Sequence, residues 1–377
     1  MKEQPKEEKK VEYLELIYDL IFVYIIGRNN SLLTAVAGGF VPLPRIIAYI
    51  LSTLAIIQIW NFSTFYINLF GRNGVRDHIF LFINMYLLYY IGEGTRLSWM
   101  LFRTQYHIAW ALILINIGVQ YLISLYQIRE NETISPSILH RAFALFGEAA
   151  LVLLAIRVDG SGFSGMTLLA ILFGLAAAWW LADEKKAERL DFRHLSERAM
   201  LFVVFTFGEM IITISSYFDG ELTFNSVYFS LMAFLIVAGL FLSYEILYNH
   251  IINRDRKTTG TMYMMVHIFL IFSMNNLTNA LEFMQETRVS LIPKTVFLIS
   301  SFLLFYFCLY GLMYYAKRRM RFHLRDAVPL VAAGLLFAVL MWLLRDEPRL
   351  NIALSVIFVY AMFARIYIHS RKVRKNI

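Results

Sequence analysis

The chain has 377 residues, of which 59% are hydrophobic, 16% are aromatic and 16% are charged. An ordinary soluble domain carries about 25% charged residues, so this composition excludes a soluble globular protein. The formal net charge of +8 does not indicate nucleic-acid binding, because Lys and Arg collect on the cytoplasmic side of membrane proteins for reasons of topology. The sequence therefore predicts an all-α integral membrane protein that is surrounded by membrane lipids and has no nucleic-acid partner.

Apolar runs of about 20 residues, each long enough to cross a bilayer as a helix, follow one another along the chain. We predict twelve of these spans, separated by segments that contain Gly, Pro, Asn and Asp. The predicted spans cover 12–37, 46–70, 79–100, 106–128, 138–158, 164–182, 195–218, 224–249, 260–282, 292–316, 326–344 and 350–369. The first run carries acidic residues and lacks a small-residue cleavage site, which indicates a retained helix rather than a signal peptide.

The distribution of basic residues indicates an even number of spans. When loops are assigned to alternate sides, 24 of the 35 Lys and Arg residues fall on one side and 9 on the other, with Arg198 and Arg365 left out as too deep. Cytoplasmic loops carry the excess of basic residues. We therefore predict a polytopic bundle with both termini in the cytoplasm.

A charged segment near the middle of the chain favours an arrangement of six helices plus six. The predicted parts are a polar tail over 1–10, a first half over 11–182, a charged cytoplasmic linker over 183–194, a second half over 195–370 and a basic tail over 371–377. Short similarities between the halves, such as HIFL at both 78–81 and 267–270, favour a duplicated fold.

Several ionisable residues lie inside predicted spans, where each costs at least about 2.5–3.5 kcal/mol unless it faces the interior of the bundle. In the first span, Glu12, Glu15 and Asp19 are three and four residues apart, so they share one helix face. Glu12, and in part Glu15, also fits an interfacial position near the lipid headgroups. Asp19 lies about one turn deeper, which favours a buried structural or functional role.

In three predicted spans a Gly precedes a Glu. Glycine lets a neighbouring helix approach closely, so the adjacent carboxylate can reach a partner across the interface. Basic residues on the same helices are candidate partners, but only those three residues apart can touch directly. The predicted pairs are Glu93 with Arg96, which can touch, and Arg141 with Glu148 and Arg198 with Glu209. The members of the last two pairs lie near one helix face, and they either line a common polar channel or pair with other helices.

The ninth predicted span is the most polar. Asn275, Asn279 and Glu282 follow helical spacing and form a stripe. Each Asn is equally well explained as an interhelical hydrogen-bonding residue, and His267 as a satisfied core histidine. A His that titrates near neutral pH, together with carboxyl groups on other spans, is also what a proton relay or a cation site requires.

No segment carries a phosphate-binding loop, a dinucleotide fingerprint, a zinc-protease motif or a nucleophile elbow. The single cysteine, Cys308, excludes an intrachain disulfide and a thiolate metal cage. We therefore expect no cofactor and no metal. The tryptophans are expected to be interface anchors rather than a cofactor box: Trp60, Trp99, Trp110, Trp179, Trp180 and Trp342.

Three parts of the chain resemble motifs of the low temperature requirement A family of bacterial membrane proteins. Residues 15–23 read ELIYDLIFV, similar to the family's opening Glu-Leu-Phe-Phe-Asp-Leu-Val-Phe-Val. Residues 197–202 and 207–211 read ERAMLF and FGEMI, similar to Glu-Arg-Phe-Gly-Leu-Phe followed by Leu-Gly-Glu-Ser-Ile. Residues 263–267 and 280–282 supply a Tyr, a His and a later Leu-Glu, as the family does.

Weaker likeness extends through Trp60 and Asn68. Two positions depart from the family pattern: Met200 stands where Gly is usual, and Met210 stands where Ser is usual. The first change relaxes the expected close helix packing, and the second removes a hydroxyl next to a key glutamate. The resemblance implies a polytopic protein of the bacterial plasma membrane that is associated by name with growth in the cold. It implies no particular substrate.

These residues support three functional hypotheses. The leading one is a secondary transporter or ion-conducting protein for a small solute or ion. The expected binding residues are Glu15, Asp19, Glu209, His267, Asn275 and Glu282, and the expected coupling or ion-pair residues are Glu93, Arg96, Arg141, Glu148, Glu197 and Arg198. The alternatives are a membrane-embedded enzyme or lipid-handling protein with His267 as general base, and a scaffold or sensor whose charges only direct packing. An enzyme is less favoured, and homo-oligomer formation stays open.

Overall fold

In a computed structural model of the chain, the described residues are almost entirely helical. The structure describes residues 9–97, 99–127, 135–159, 165–180, 190–218, 222–321 and 324–374. Within them there are twelve α-helices and no β-sheet. Most of the predicted tail over 1–10, the linker residues 183–189 and the last three residues of the basic tail lie outside the described residues.

Each predicted span coincides with one helix. The helices are α1 (Tyr13–Asn29), α2 (Leu43–Phe70), α3 (Val75–Leu97), α4 (Trp99–Gln127), α5 (Ser135–Val158), α6 (Gly165–Trp180), α7 (Phe192–Thr213), α8 (Phe224–Ile246), α9 (Thr261–Gln285), α10 (Leu291–Gly311), α11 (Leu324–Leu343) and α12 (Pro348–Arg374). Their order and type confirm the all-α expectation.

The first helix is shorter than predicted, because the span expected over 12–37 ends as α-helix at Asn29. The amide of Asn29 donates to Ser52 Oγ at 2.7 Å and to Thr53 Oγ1 at 2.6 Å. The chain then turns through a short 3-10 segment, Asn30–Leu33. Leucines beyond Asn29 extend the apolar run without extending the helix, so hydropathy alone overestimates its length.

Among the described residues, eight helices are long and apolar enough to cross a membrane: α2, α4, α5, α8, α9, α10, α11 and α12. The helix α6 is apolar but has only 16 residues. Membrane character is thus a property of most of the described chain. The count of twelve spans and the cytoplasmic position of both termini stay predictions.

The chain forms two compact units. The first contains Met1–Leu32, Leu43–Phe202 and Arg254–Met264, and the second contains Leu33–Pro42, Val203–Asn253 and Met265–Ile377. In the first unit, α3, α4, α5 and α6 pack successively, and α2 packs against α1, α4 and α6. The helix α2 is the most buried candidate span of this unit, so its polar side chains lie in the interior.

In the second unit, α8 packs along α12, and α11 packs against α10 and α12. A Cβ added to Gly239 of α8 would lie 2.5 Å from Val359 Cγ1 of α12, so glycine allows their close approach. Phe302 stands edge-on to both Phe337 and Phe358, which stack with ring centroids 4.1 Å apart. These rings form an apolar core shared by α10, α11 and α12.

Candidate functional site

Arg198 on α7 and Asp19 on α1 form a fully buried ion pair in the first unit. The guanidinium donates from Nη2 to Oδ1 at 2.8 Å and from Nε to Oδ2 at 3.1 Å, and both side chains are 0% exposed. Trp60 of α2 donates from Nε1 to Oδ1 of Asp19 at 2.8 Å. Such a two-point, charge-assisted pair is the strong form of an ion pair, and it leaves neither Asp19 oxygen without a donor.

Glu15 extends this cluster by one turn of α1. Its Oε2 lies 3.3 Å from Nη1 of Arg198 and 3.4 Å from Nε2 of His194. Because none of these atoms forms an aligned hydrogen bond, both are close charge or dipole contacts. Glu15 and Asp19 are four residues apart on α1, and the same spacing separates His194 and Arg198 on α7. Glu15 and Asp19 therefore share one face of α1, and this face packs against the face of α7 that carries His194 and Arg198.

The tautomer of the His194 ring follows from its contact with Asn68. The Asn68 amide donates from Nδ2 to the Asp191 carbonyl at 2.8 Å and accepts at Oδ1 from the Asp191 N–H at 3.1 Å. These two hydrogen bonds to the backbone of Asp191 determine which side-chain atom of Asn68 is the nitrogen and which is the oxygen. Nδ2 lies 3.0 Å from Nδ1 of His194, and because an amide nitrogen only donates, Nδ1 must accept. The neutral ring therefore carries its hydrogen on Nε2, which faces Glu15.

The residues His194 and Trp60 are site residues that the sequence analysis does not predict. The four-residue spacing of His194 from Arg198 is a signal that points to His194. The interpretation of the tryptophans as interface anchors is wrong for Trp60 and Trp110, which are fully buried. It agrees with the exposure of Trp179, Trp180 and Trp342, whereas the side chain of Trp99 lies outside the described residues.

An open cavity of about 680 Å³ in the first unit reaches the charge cluster. Its charged or titratable lining side chains are Lys9, Lys10, Glu12, Glu15, Arg72, Asp77 and His78. Lys9 donates to the carbonyl of Gly71 at 2.9 Å and to that of Ile67, at the C-terminal end of α2, where a cation is favoured. Burial lowers the pKa of Lys9, which precedes the first helix. Glu15 therefore lines this cavity and also contacts Arg198.

A chain of hydrogen bonds links four helices beside this cluster. Tyr18 of α1 bonds through its hydroxyl to Ser63 Oγ of α2 at 2.9 Å. Asn84 of α3 donates to the same hydroxyl at 3.2 Å, and Asn116 of α4 donates to Asn84 Oδ1 at 2.7 Å. Each of these groups meets a partner, as buried polar groups normally do.

Glu148 on α5 lies in the interior of the first unit without such partners. The side chain is 1% exposed, and neither carboxyl oxygen has a hydrogen-bond partner among the described residues. A Cβ added to Gly174 of α6 would lie 2.0 Å from Oε2 of Glu148, so the carboxyl packs directly against the glycine backbone. Glu148 and Arg141 both line a cavity of about 30 Å³, but they do not form an ion pair with each other.

The other predicted coupling residues have separate surroundings. Glu93 of α3 forms a half-exposed ion pair with Arg28 of α1 at 3.3 Å. The side chain of Arg96, the partner expected from sequence, lies outside the described residues. Glu197 is half-buried on α7, next to the fully buried Arg198.

The remaining predicted binding residues belong to the second unit. His267 of α9 is fully buried, and its Nε2 lies 3.0 Å from the hydroxyl of Tyr244 on α8. The carbonyl of Asn275 accepts a hydrogen bond from the Asn279 amide at 2.8 Å. The contact with Tyr244 therefore links α9 to α8, whereas the Asn279 bond stays within α9.

The two predicted carboxylates of the second unit are less buried than Asp19. Glu209 on α7 and Glu282 on α9 are half-buried. The carbonyl of Leu281, next to Glu282, accepts a hydrogen bond from the Tyr217 hydroxyl at 2.5 Å. The two units therefore each carry part of the predicted set, and the structure brings Glu15, Asp19 and Arg198 together within the first.

The sequence matches the model of one protein family over nearly its whole length. That family is described as bacterial low temperature requirement A protein (LtrA), and the match covers residues 10–363. All predicted site residues of both units fall within this range. No curated protein matches the chain, and no solved structure matches it.

Proposed function

This chain belongs to the bacterial low temperature requirement A (LtrA) family, and we propose that it is a secondary transporter or ion-conducting protein of the bacterial plasma membrane. Its cargo in this proposal is a small solute or ion, and its surroundings are membrane lipids. Twelve spans cross the bilayer with both termini in the cytoplasm, an arrangement supported by the uneven distribution of Lys and Arg.

The observation that supports the proposal is that Glu15 belongs both to the open cavity and to the buried charge cluster. Its carboxylate lines the open cavity of about 680 Å³ and lies 3.3 Å from Arg198. Arg198 in turn binds Asp19, which is fully buried. Charged groups therefore continue from an open cavity into the protein interior, as expected along an ion or solute pathway. Charged residues that only stabilise helix packing do not need a connection to an open cavity.

A lipid-handling protein is the second candidate, because basic side chains line the same cavity. Lys10, Arg72 and His78 lie there together with Lys9, and clustered basic residues bind anionic headgroups. Transport is preferred because three acidic side chains, including Glu15, also line the cavity and repel an anionic headgroup.

Flux through the reconstituted full-length protein tests the proposal. Liposomes loaded with proton- and cation-sensitive dyes compare the wild type with Glu15→Gln. We expect at least about a tenfold loss of flux in this variant, which corresponds to about 1.4 kcal/mol of lost charge stabilisation along the pathway. Glu12→Gln is the matched control, because Glu12 lines the same cavity but forms no ion pair with Arg198; its flux should stay within about twofold.

A folded wild-type protein that passes no proton, monovalent cation or small solute would contradict the transport proposal. Binding to vesicles of anionic lipid that is lost in Lys10→Gln, in the absence of flux, would favour the lipid-handling candidate. Equal flux in Glu15→Gln and the wild type would show that Glu15 is not part of the pathway.

A further inference from the structure

Glu148 differs from Asp19, the other carboxyl in the described part of the first unit that is at most 1% exposed. Asp19 receives hydrogen bonds from Arg198 and Trp60, whereas in the part of the chain that the structure describes neither oxygen of Glu148 has a partner. Burying an ionised carboxylate without donors costs several kcal/mol. A carboxyl in this position is therefore favoured in its neutral, protonated form.

Glu148 and Gln58 pack side by side against Gly174 without a hydrogen bond between them. A Cβ on Gly174 would approach Glu148 Oε2 to 2.0 Å and Gln58 Nε2 to 2.1 Å, so both side chains use the space that glycine leaves free. Gln58 is anchored by a hydrogen bond from Nε2 to the Ile171 carbonyl at 3.2 Å. The Oε1 of the same amide has no partner among the described residues.

The cavity beside Glu148 does not suit a metal ion. Its volume of about 30 Å³ is enough for a water molecule, which needs roughly 10–15 Å³. Hard cations such as Ca²⁺ and Mg²⁺ take about six or more oxygen ligands, and Glu148 supplies the only carboxyl group of the cavity lining. A proton needs neither the volume nor the ligands.

We propose that Glu148 binds and releases the coupling proton of the transport cycle, an inference that rests on the proposed transport function. In the proton-bound state the neutral carboxyl packs against Gly174. On release the O–H bond breaks, its electron pair stays on the carboxylate oxygen, and a water molecule that enters the cavity takes the proton. Arg141 is the other charged side chain of the described cavity lining. The other titratable group of the lining is Tyr121, on α4.

Infrared difference spectroscopy of the full-length reconstituted protein tests the protonation of Glu148. At neutral pH we expect the C=O band of a protonated carboxyl in the wild type, shifted by exchange into D₂O and lost in Glu148→Gln. Glu93→Gln is the control, because Glu93 is paired with Arg28 at 3.3 Å; this variant should keep the band. Loss of the band at alkaline pH in the wild type should accompany proton release.

Absence of the band from the wild type at neutral pH would overturn the assignment of Glu148, whatever the flux. Flux measured on the same preparation separates the two proposals. A band without any flux supports proton binding at Glu148 and contradicts the transport function. Proton-coupled flux without the band leaves the transport function standing and contradicts Glu148 as the proton site.

A glycine substitution provides a second variant that keeps the carboxyl group. In Gly174→Ala the added Cβ must displace Glu148 Oε2, so we expect the infrared band to shift or disappear. Gly208→Ala is the matched control, because a Cβ added there meets no atom within 4 Å; its band should be unchanged. An unchanged band in Gly174→Ala would contradict the proposed position of the proton-bound carboxyl.

Discussion

Arg198 and Asp19 are 179 residues apart in the sequence, and their side chains form a buried ion pair with N–O distances of 2.8 and 3.1 Å. Glu15 places a second carboxylate 3.3 Å from the same guanidinium. Buried ions lose their hydration, so such a cluster stabilises the fold only while its partners remain together. Removing the guanidinium leaves two carboxylates in the interior with reduced compensation.

Replacing Arg198 by Met should lower the free energy of unfolding by about 3–5 kcal/mol, because Asp19 loses its buried counter-charge. Unfolding of the purified protein in mixed micelles measures this loss. Arg193→Gln on the same helix is the control, since Arg193 pairs with Asp255 at an exposed site, and its cost should stay below about 1 kcal/mol. Similar losses in the two variants would contradict the role given to Arg198.

The indole N–H of Trp60 should stabilise the protein through Asp19. Trp60→Phe removes a hydrogen bond to a charged group, so we expect a loss of about 1.5–3 kcal/mol from the bond in addition to the packing change. Trp110→Phe makes the same chemical change at another fully buried tryptophan whose Nε1 has no partner. Its stability loss should be clearly smaller in the same unfolding assay, and equal losses would show that the bond to Asp19 contributes nothing.

The tautomer of His194 should depend on Asn68. In the wild type the ring nitrogen Nδ1 accepts from the Asn68 amide, so the hydrogen resides on Nε2. Nitrogen chemical shifts of histidine-labelled protein should report this tautomer, and Asn68→Leu should allow a mixture. Asn29→Leu is the control, because Asn29 bonds to Ser52 and Thr53 instead. A His194 signal that is unchanged in Asn68→Leu would contradict the assigned hydrogen-bond direction.

The loop between α9 and α10 should contribute a pH-dependent term to stability. Hydrogen bonds from Arg288 lower the pKa of Glu286 from 4.5 to about 2. A carboxyl with a lowered folded-state pKa stabilises the fold above its ordinary pKa, and this contribution is lost as the pH falls toward 2. Arg288→Gln should flatten the pH dependence of unfolding between these values. Because the pair is exposed, high salt should bring the two curves together; curves that already coincide at low salt would exclude this contribution.

The helices were predictable because hydropathy over about 20 residues is a local property. Each predicted span contains one helix, and the largest discrepancy is at the end of α1. There the amide of Asn29 bonds to two hydroxyls of α2, a contact between residues that are distant in sequence. Such a contact has no signature in the apolar pattern of the first span.

The buried acids were also predictable as a class, since ionisable residues inside apolar runs stand out. Their partners were not. The expected partner of Glu93 was on its own helix, but Glu93 forms an ion pair with Arg28 of α1. From the sequence, Trp60 was expected to be an interface anchor, yet its Nε1 lies 2.8 Å from Oδ1 of Asp19. Only the packing of different helices brings these groups together.

The sequence by itself determined the membrane character, the order of the helices and the family, because these depend on local hydropathy and on motifs along the chain. Only the tertiary structure decided which charges are neutralised. Asp19 is held by Arg198 and Trp60, while Glu148, which is also buried, has no hydrogen-bond partner among the described residues. The physical reason is that the energy of a buried charge depends on the few atoms within hydrogen-bond distance, and here those atoms belong to other helices.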